Sequence, residues 1–247
     1  SLEVRVGDTL VTTVPVSGGA ATATFAMPST GAVTLTALPS KTLVRVPVTT
    51  EALATSTTLK LSKNTVSYGT SVVATAKVTG TATGKVRFTV GARSVEASVV
   101  GGVARAKLPA DLAVGTHRVV ASFVADDVAA ASSSAPAKLK VTKATVKVIN
   151  KTASVTVSAK KPFSFTVATK PLGTGIWATG TVKVFLHGKV VGTAKLTSAD
   201  KGTKRLTVAA KYLARYGRGS SVSIKATLTR SATTKDAVLK VIRLRLV

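Results

Sequence analysis

Thr83-Gly84-Lys85-Val86-Arg87-Phe88 and Thr179-Gly180-Thr181-Val182-Lys183-Val184-Phe185 are the two runs on which the reading of the fold turns. Each opens on Thr-Gly, then alternates apolar and polar residues, and each is followed by a turn and a further alternating run. A period of two places successive side chains on opposite faces, so these runs are half-buried strands. Further along the chain the two copies keep the same order. Leu112-Ala113-Val114-Gly115 before Arg118-Val119-Val120-Ala121 corresponds to Leu213-Ala214-Arg215-Tyr216-Gly217 before Val222-Ser223-Ile224-Lys225. Each copy closes on a last strand, Ala137-Lys138-Leu139-Lys140-Val141 and Ala237-Val238-Leu239-Lys240-Val241.

Alternation recurs at Leu2-Glu3-Val4-Arg5-Val6, Ala32-Val33-Thr34-Leu35-Thr36, Leu43-Val44-Arg45-Val46, Thr58-Leu59-Lys60-Leu61 and Val146-Lys147-Val148. Turn residues punctuate it at Ser17-Gly18-Gly19, Ser62-Lys63-Asn64, Gly101-Gly102 and Leu186-His187-Gly188. The best helical candidate, Ala209 to Tyr216 ended by Gly217, is barely two turns long and reads as a connector between strands. Each copy spans about 90 to 105 residues with about seven strands, the size of one immunoglobulin-like sandwich. The expected fold class is therefore all-β, with tandem immunoglobulin-like β-sandwiches. The expected domains are 1–53, a β-rich module or partial Ig-like domain; 54–142, an Ig-like sandwich; and 143–247, a strongly basic Ig-like sandwich. The linker Val141-Thr142-Lys143-Ala144 is short and lacks Gly and Pro, which predicts a restricted, elongated arrangement.

The 247 residues include 35 Lys plus Arg against 9 Asp plus Glu, a formal charge of +26, and no cysteine, which excludes disulfide stapling and thiolate chemistry. Hydrophobic residues make up 45% of the chain, too many for a disordered basic tail. With aromatics at only 4%, the cores must be lined by small and β-branched side chains. The longest uncharged run, Thr9 to Ser40, is broken throughout by Thr, Ser, Gly and Pro, so no membrane insertion is expected. The start, Ser1-Leu2-Glu3-Val4, has neither an initiator Met nor an apolar signal region and reads as a fragment. Charge is uneven. Residues 1–53 carry three basic and three acidic residues and are neutral; 54–142 carry eleven and four, +7; 143–247 carry twenty-one against Asp200 and Asp236, +19.

Ser56-Thr57-Thr58-Leu59, Val66-Ser67-Tyr68-Gly69-Thr70-Ser71-Val72, Gly84 to Phe88, Leu112 to His117 and Val124-Ala125-Asp126-Asp127 resemble the bacterial Ig-like repeats of secreted, mostly actinobacterial, proteins. The likeness covers the middle block well and the C-terminal block in outline. Ala125-Asp126-Asp127-Val128 departs from the family's Gly-Asp pair followed by an aromatic, so that corner is expected to pack differently. The resemblance implies a secreted, cell-surface or cell-wall setting, where such modules serve as spacers, adhesive stalks or carbohydrate-contacting accessories.

Little in the chain supports catalysis, and no cofactor is expected. Asp126-Asp127 is the one adjacent carboxylate pair, too few ligands for a hard cation, and reads as a solvated turn. His117 and His187 lie one in each copy, at a strand start and in a hairpin turn, so they do not assemble a triad. With two histidines and no cysteine, zinc and acid–base sites lack material, and Ser17-Gly18-Gly19-Ala20 lacks the Lys and Ser or Thr of a phosphate loop.

The remaining candidate is the basic surface of the last block. Lys160 and Lys161, then Lys201, Lys204 and Arg205, and finally Lys211, Tyr212, Arg215, Tyr216 and Arg218 gather around expected turns and the connector. Cations interleaved with aromatics can neutralise and stack on a polyanion. Outward lysines such as Lys138, Lys140, Lys183 and Lys240 read instead as the solvated guard of sheet edges. A net +19 nonetheless far exceeds the magnitude of about 2 to 8 that solubility asks of a small domain. The expected partner is an anionic polymer, teichoic acid or an acidic polysaccharide, or an acidic domain of the parent protein, with nonspecific nucleic-acid contact also open. Arg215 and Arg218 are the first choices for bidentate phosphate contact. Three readings stand: a non-catalytic stalk on an anionic bacterial surface, an accessory region of a larger secreted hydrolase, and charge-driven nucleic-acid binding, the last without any recognised reading motif.

Overall fold

The computed structural model describes residues 1–6, 8–25, 33–37, 42–45, 52–80, 83–126, 129–149 and 151–247. They fall into two compact units, 1–55 with 125–130, and 56–124 with 131–247. In the first unit β1 (Leu2–Val6), β2 (Thr9–Val14), β3 (Val33–Ala37) and β4 (Thr42–Arg45) form an antiparallel sheet of order β2-β1-β3-β4. Val4 and Val6 are its buried centre, packed by Val11, Val14, Ala23 and Phe25. The turn expected at Ser17-Gly18-Gly19 is present, with reciprocal Ser17–Ala20 backbone bonds of 3.0 and 3.1 Å and both glycines at positive φ. Ala32 and Val46, quoted in two expected strands, lie outside the described residues.

The second unit opens with β5 (Ser56–Leu61), β6 (Thr65–Ser67), β7 (Val73–Thr79), β8 (Lys85–Val90), β9 (Arg93–Ser98), β10 (Val103–Lys107), β11 (Gly115–Val124), β12 (Ser132–Ser133) and β13 (Ala137–Thr142). One sheet has the order β10-β7-β5, the other β6-β13-β11-β8-β9 with β12 beside β11. β6 runs parallel to β13, and the other pairings are antiparallel. Inward positions of the first sheet are largely small, Ala74, Ala76, Ala104 and Ala106, while the facing sheet supplies Phe88 and Phe123, all buried. Large side chains opposite small ones fill the layer to interior density.

The unit continues with β14 (Val148–Ile149), β15 (Thr152–Val157), β16 (Phe163–Thr169), β17 (Gly180–Leu186), β18 (Lys189–Leu196), β19 (Thr203–Val208), the single-turn helix α1 (Ala210–Leu213), β20 (Ser221–Leu228) and β21 (Ala237–Leu246). The sheets are β14-β16-β19 and β15-β21-β20-β17-β18, with β15 parallel to β21. Apart from β12, which has no separate counterpart, this is the strand order of the preceding sandwich, so the repeat read from Thr83–Phe88 and Thr179–Phe185 is a repeat of topology. These are tandem immunoglobulin-like β-sandwiches. The core here is aliphatic, including Val182, Val184, Leu186, Ile224, Leu228, Leu239, Ile242 and Leu244.

Three local expectations need correction. The connector is one turn, not two, because Ala209 is extended (φ −66, ψ 146) and the helix ends at Leu213 with Ala214 as its cap; its purpose is the wholly buried Leu213, matched by buried Leu112 in the other copy. Val146 is buried but precedes the strand, which is only Val148–Ile149. The last strand runs to Leu246, five residues beyond Val141's counterpart Val241, because Ile242, Leu244 and Leu246 keep the inward alternation.

The two sandwiches share direct contacts. Lys143 Nζ donates to Ser231 O at 2.6 Å, the Ala144 N–H to Thr233 O at 2.8 Å and the Lys235 N–H to Ala144 O at 3.0 Å, so the short linker is bonded along the β20–β21 loop. In the β6–β7 turn Gly69 takes φ +91 and faces Leu172 and Gly173 of the β16–β17 loop. Among the described residues no helix is long and apolar enough to cross a membrane.

Candidate anion-binding surface

Strand direction sorts the ten candidate residues into two ends of the second sandwich. Phe163, which opens β16, pairs with Val208, which closes β19. Lys160 and Lys161, just before β16, therefore share an end with Lys211, Tyr212, Arg215, Tyr216 and Arg218, just after β19. The chain end and the β20 entry lie there too, through Val247 N–H to Val157 O at 3.0 Å and Gly219 N–H to Leu246 O at 2.8 Å. Lys201, Lys204 and Arg205 belong to the other end, where Ala168 pairs with Thr203.

At the connector end, Lys160, Lys161, Lys211, Arg215 and Arg218 are exposed, while Tyr212 and Tyr216 are half-buried against the core. Both rings already have neighbours. Lys211 Nζ stands 5.2 Å and Arg215 Cζ 5.9 Å from the Tyr212 centroid, within cation–π range. The Tyr216 ring lies 5.2 Å from that of His187, which occupies the β17–β18 turn at φ +44 beside Gly188 at +79. Positive φ at both central residues is the turn whose twist suits a two-residue hairpin.

At the opposite end Lys201 also takes φ +44, followed by Gly202 at +75. Lys204 is half-buried and donates to Asp200 Oδ1 at 2.8 Å, while Asp200 Oδ2 accepts the Thr197 N–H at 2.7 Å and the Thr197 hydroxyl at 2.8 Å. The Lys204 ammonium, with these Thr197 donors, holds the Asp200 carboxyl down at about 2. A carboxylate depressed in the folded state stabilises the fold fully above its unfolded value of about 3.9, and that stabilisation is lost as the pH falls through the folded value. Denaturation midpoints measured between about pH 5 and pH 2 should therefore fall most steeply below about pH 4. Asp200→Asn should lose that part of the slope; an unchanged slope would show that the contact contributes nothing.

Counter-charge differs between the sandwiches. In the first, Glu96 pairs with Arg87 across β8 and β9 at 2.9 Å. Asp111 pairs with Arg93, whose hydrogen bond holds the carboxyl below the usual carboxylate range. In the second, Asp200 is engaged as described and Asp236 Oδ1 accepts the Arg230 N–H at 2.6 Å.

Two cations outside the ten belong beside them. Arg243 and Arg245 alternate with buried Leu244 and Leu246 on β21 and are exposed on the outer sheet face. Arg243 lies between Ser154 of β15 and Ser223 of β20, and Arg245 between Thr156 and Ser221. The signal was available in Ile242-Arg243-Leu244-Arg245-Leu246, an alternation that continues the strand.

His117 Nε2 donates to the Ala113 carbonyl at 2.7 Å, which fixes the proton on that nitrogen because a carbonyl only accepts. Asp126 Oδ1 accepts the Ala129 N–H at 2.8 Å, a local turn contact, while Asp127 and Val128 lie outside the described residues. Lys138, Lys140 and Lys183 are exposed and Lys240 is half-buried.

Residues 57–142, from the second residue of β5 to the end of β13, match the family model described as bacterial Ig-like domain (group 3). No curated protein matches the chain. Among solved structures it is similar to the titin domains Z1Z2 in complex with telethonin, at 16% identity over 81% of this chain and 98% of that one, TM-score 0.38. It is likewise similar to the Yersinia pseudotuberculosis adhesin InvE, at 16% identity over 76% of this chain and 58% of that one, TM-score 0.36. A third is the N-terminal eight Ig domains of Down syndrome cell adhesion molecule, at 12% identity over 99% of this chain and 36% of that one, TM-score 0.39.

Proposed function

We propose that the chain is a non-catalytic extracellular stalk or adhesion module, secreted or held at the cell surface, that attaches to an anionic bacterial surface polymer. Its modules are 1–53, 54–142 and 143–247. The observation that carries this reading is the uncompensated charge of the second sandwich. Its 21 basic residues face two carboxylates, and both of those already accept hydrogen bonds from their own loops. A surface of one sign draws an oppositely charged partner over distances of about a Debye length. The tandem sandwiches and the bacterial Ig-like match over 57–142 support the stalk role.

The test is binding of the full chain to bacterial cell walls with and without teichoic acid, and to duplex DNA, across a salt series. Binding to walls is expected to weaken steeply with salt and to vanish when teichoic acid is stripped. Undiminished binding to stripped walls would overturn the polymer assignment, and equal affinity for DNA would reduce it to nonspecific electrostatics.

A further inference from the structure

The β15-β21-β20 face carries a hydroxyl and guanidinium ladder built from three adjacent strands. Along β21, Arg243 and Arg245 both point outward, two residues apart, which spaces them by roughly 6.6–6.8 Å. Across the strands each is flanked on both sides by a hydroxyl: Ser154 and Ser223 for Arg243, Thr156 and Ser221 for Arg245. The rows border an open depression of about 330 Å³ lined by Ser154, Thr156, Ser221, Arg243 and Arg245. Lys225 continues the face on β20, two residues beyond Ser223 and opposite Phe185. Among the described residues no carboxylate or carbonyl accepts from Arg243 or Arg245, and no acidic residue stands at a paired position in these rows.

Two like charges held side by side on one strand repel each other, and their donor forks are unspent. A guanidinium fork matches the paired oxygens of a phosphate, and a hydroxyl on either side can donate to a third oxygen or accept from a ligand hydroxyl. We propose that this face is the seat of the polymer, a polyol phosphate chain whose successive phosphates lie one on the Arg243 row and the next on the Arg245 row. The inference rests on the anionic-polymer reading above and gives it a location and a ligand class. Strand geometry sets the requirement: the ligand's charges must repeat at the two-residue spacing of β21. Hydroxyl-bearing linkers suit the serine and threonine flanks. Single-stranded nucleic acid is favoured less, because sequence-tolerant binding of bases uses exposed aromatic platforms. The one aromatic at a paired position on this face, Phe185, is half-buried.

The experiment titrates purified poly(glycerol phosphate) into the full chain, with single-stranded DNA of matched charge as a second probe. Three double variants are compared: Arg243→Gln with Arg245→Gln, Arg215→Gln with Arg218→Gln, and Lys138→Gln with Lys140→Gln, which removes the same charge from the first sandwich. All six positions are exposed, so folding is checked once by circular dichroism. The sheet-face pair should weaken polymer binding by about tenfold or more and make the salt slope shallower by about two, one for each phosphate left without its guanidinium. The Lys138/Lys140 pair should change it by less than about twofold.

Equal losses from the sheet-face and Lys138/Lys140 pairs would overturn the site in favour of diffuse charge. A loss confined to Arg215/Arg218 would move the polymer to the connector end, overturning this site while leaving the attachment reading intact. Equal losses against DNA and polymer would overturn the polyol assignment. No binding by the unaltered chain would overturn both the site and the attachment reading for this polymer.

Discussion

Gly202→Val should lower the stability of the second sandwich by roughly 3 kcal/mol, the sum of a backbone and a packing cost. Gly202 is buried at φ +75, where a Cβ would stand 2.6 Å from Thr169 Oγ1 and 2.6 Å from Trp177 Cε3. Left-handed backbone costs an L-residue about 1–2 kcal/mol, and more than that for a β-branched one. Forcing atoms into a filled site adds typically about 1–3 kcal/mol. The neighbours cannot withdraw cheaply, since the Thr169 N–H donates to Gly202 O at 2.9 Å and its hydroxyl to the same oxygen at 3.3 Å. Trp177 is the one tryptophan in the chain, so its fluorescence follows this sandwich alone in a denaturant titration. Gly188→Ala separates the two costs within the same sandwich. Gly188 sits at φ +79 in the β17–β18 turn, with nothing within 4 Å of its added Cβ. That variant should lose only the backbone part, about 1–2 kcal/mol. Equal losses at both positions would show that the Trp177 contact contributes nothing.

These turns explain what was legible in the sequence. Period-two alternation, turn residues and chain order survive folding unchanged, so Val86, Phe88 and Val90 on β8 and Val182, Val184 and Leu186 on β17 all proved inward and buried. Leu112 and Leu213 are alike buried at the ends of their connectors. What escaped was everything that depends on where strand ends fall in space. Lys201 and Lys211 are ten residues apart, yet the whole of β19 lies between them, and six residues of strand cover roughly 20 Å. Neighbours in sequence were thereby sent to opposite ends. Arg243 and Arg245 show the converse, since their flanking hydroxyls come from Thr152–Val157 and Ser221–Leu228, strands brought alongside β21 only by the parallel β15 pairing and the β20 hairpin. The tyrosines mislead for a third reason. Tyr212 and Tyr216 read as stacking platforms among cations, but a one-turn connector that must bury Leu213 draws both rings partly into the core.

Gly173→Val should release the contact between the two sandwiches while each keeps its own core. A Cβ added to Gly173 would overlap the Gly69 carbonyl oxygen, and all three of its nearest atoms belong to Gly69. Gly69 in turn is buried at φ +91 with Leu172 main-chain atoms 2.7 Å from its own hypothetical Cβ, so the two backbones meet at glycines from both sides. Neither segment yields freely. The Gly69 N–H donates to Ala110 O at 2.9 Å within the first sandwich, and Leu172 N–H to Ile176 O at 2.8 Å and Ile176 N–H to Gly173 O at 3.0 Å tie the opposing turn. The added methyls are therefore relieved by separation of the sandwiches, at a cost of about 1–3 kcal/mol of docking. Separation pulls on the linker bonds of Lys143 and Ala144 to the β20–β21 loop, so trypsin cleavage after Lys143 is the readout. Cleavage of a transiently opened segment follows the open population, which rises about tenfold for each 1.4 kcal/mol. The variant should be cut about tenfold or more faster, with the Trp177 denaturation midpoint shifted far less than by Gly202→Val. Unchanged cleavage would mean that the linker bonds alone hold the sandwiches together, and the short Gly- and Pro-free linker would then account for the whole of their restraint.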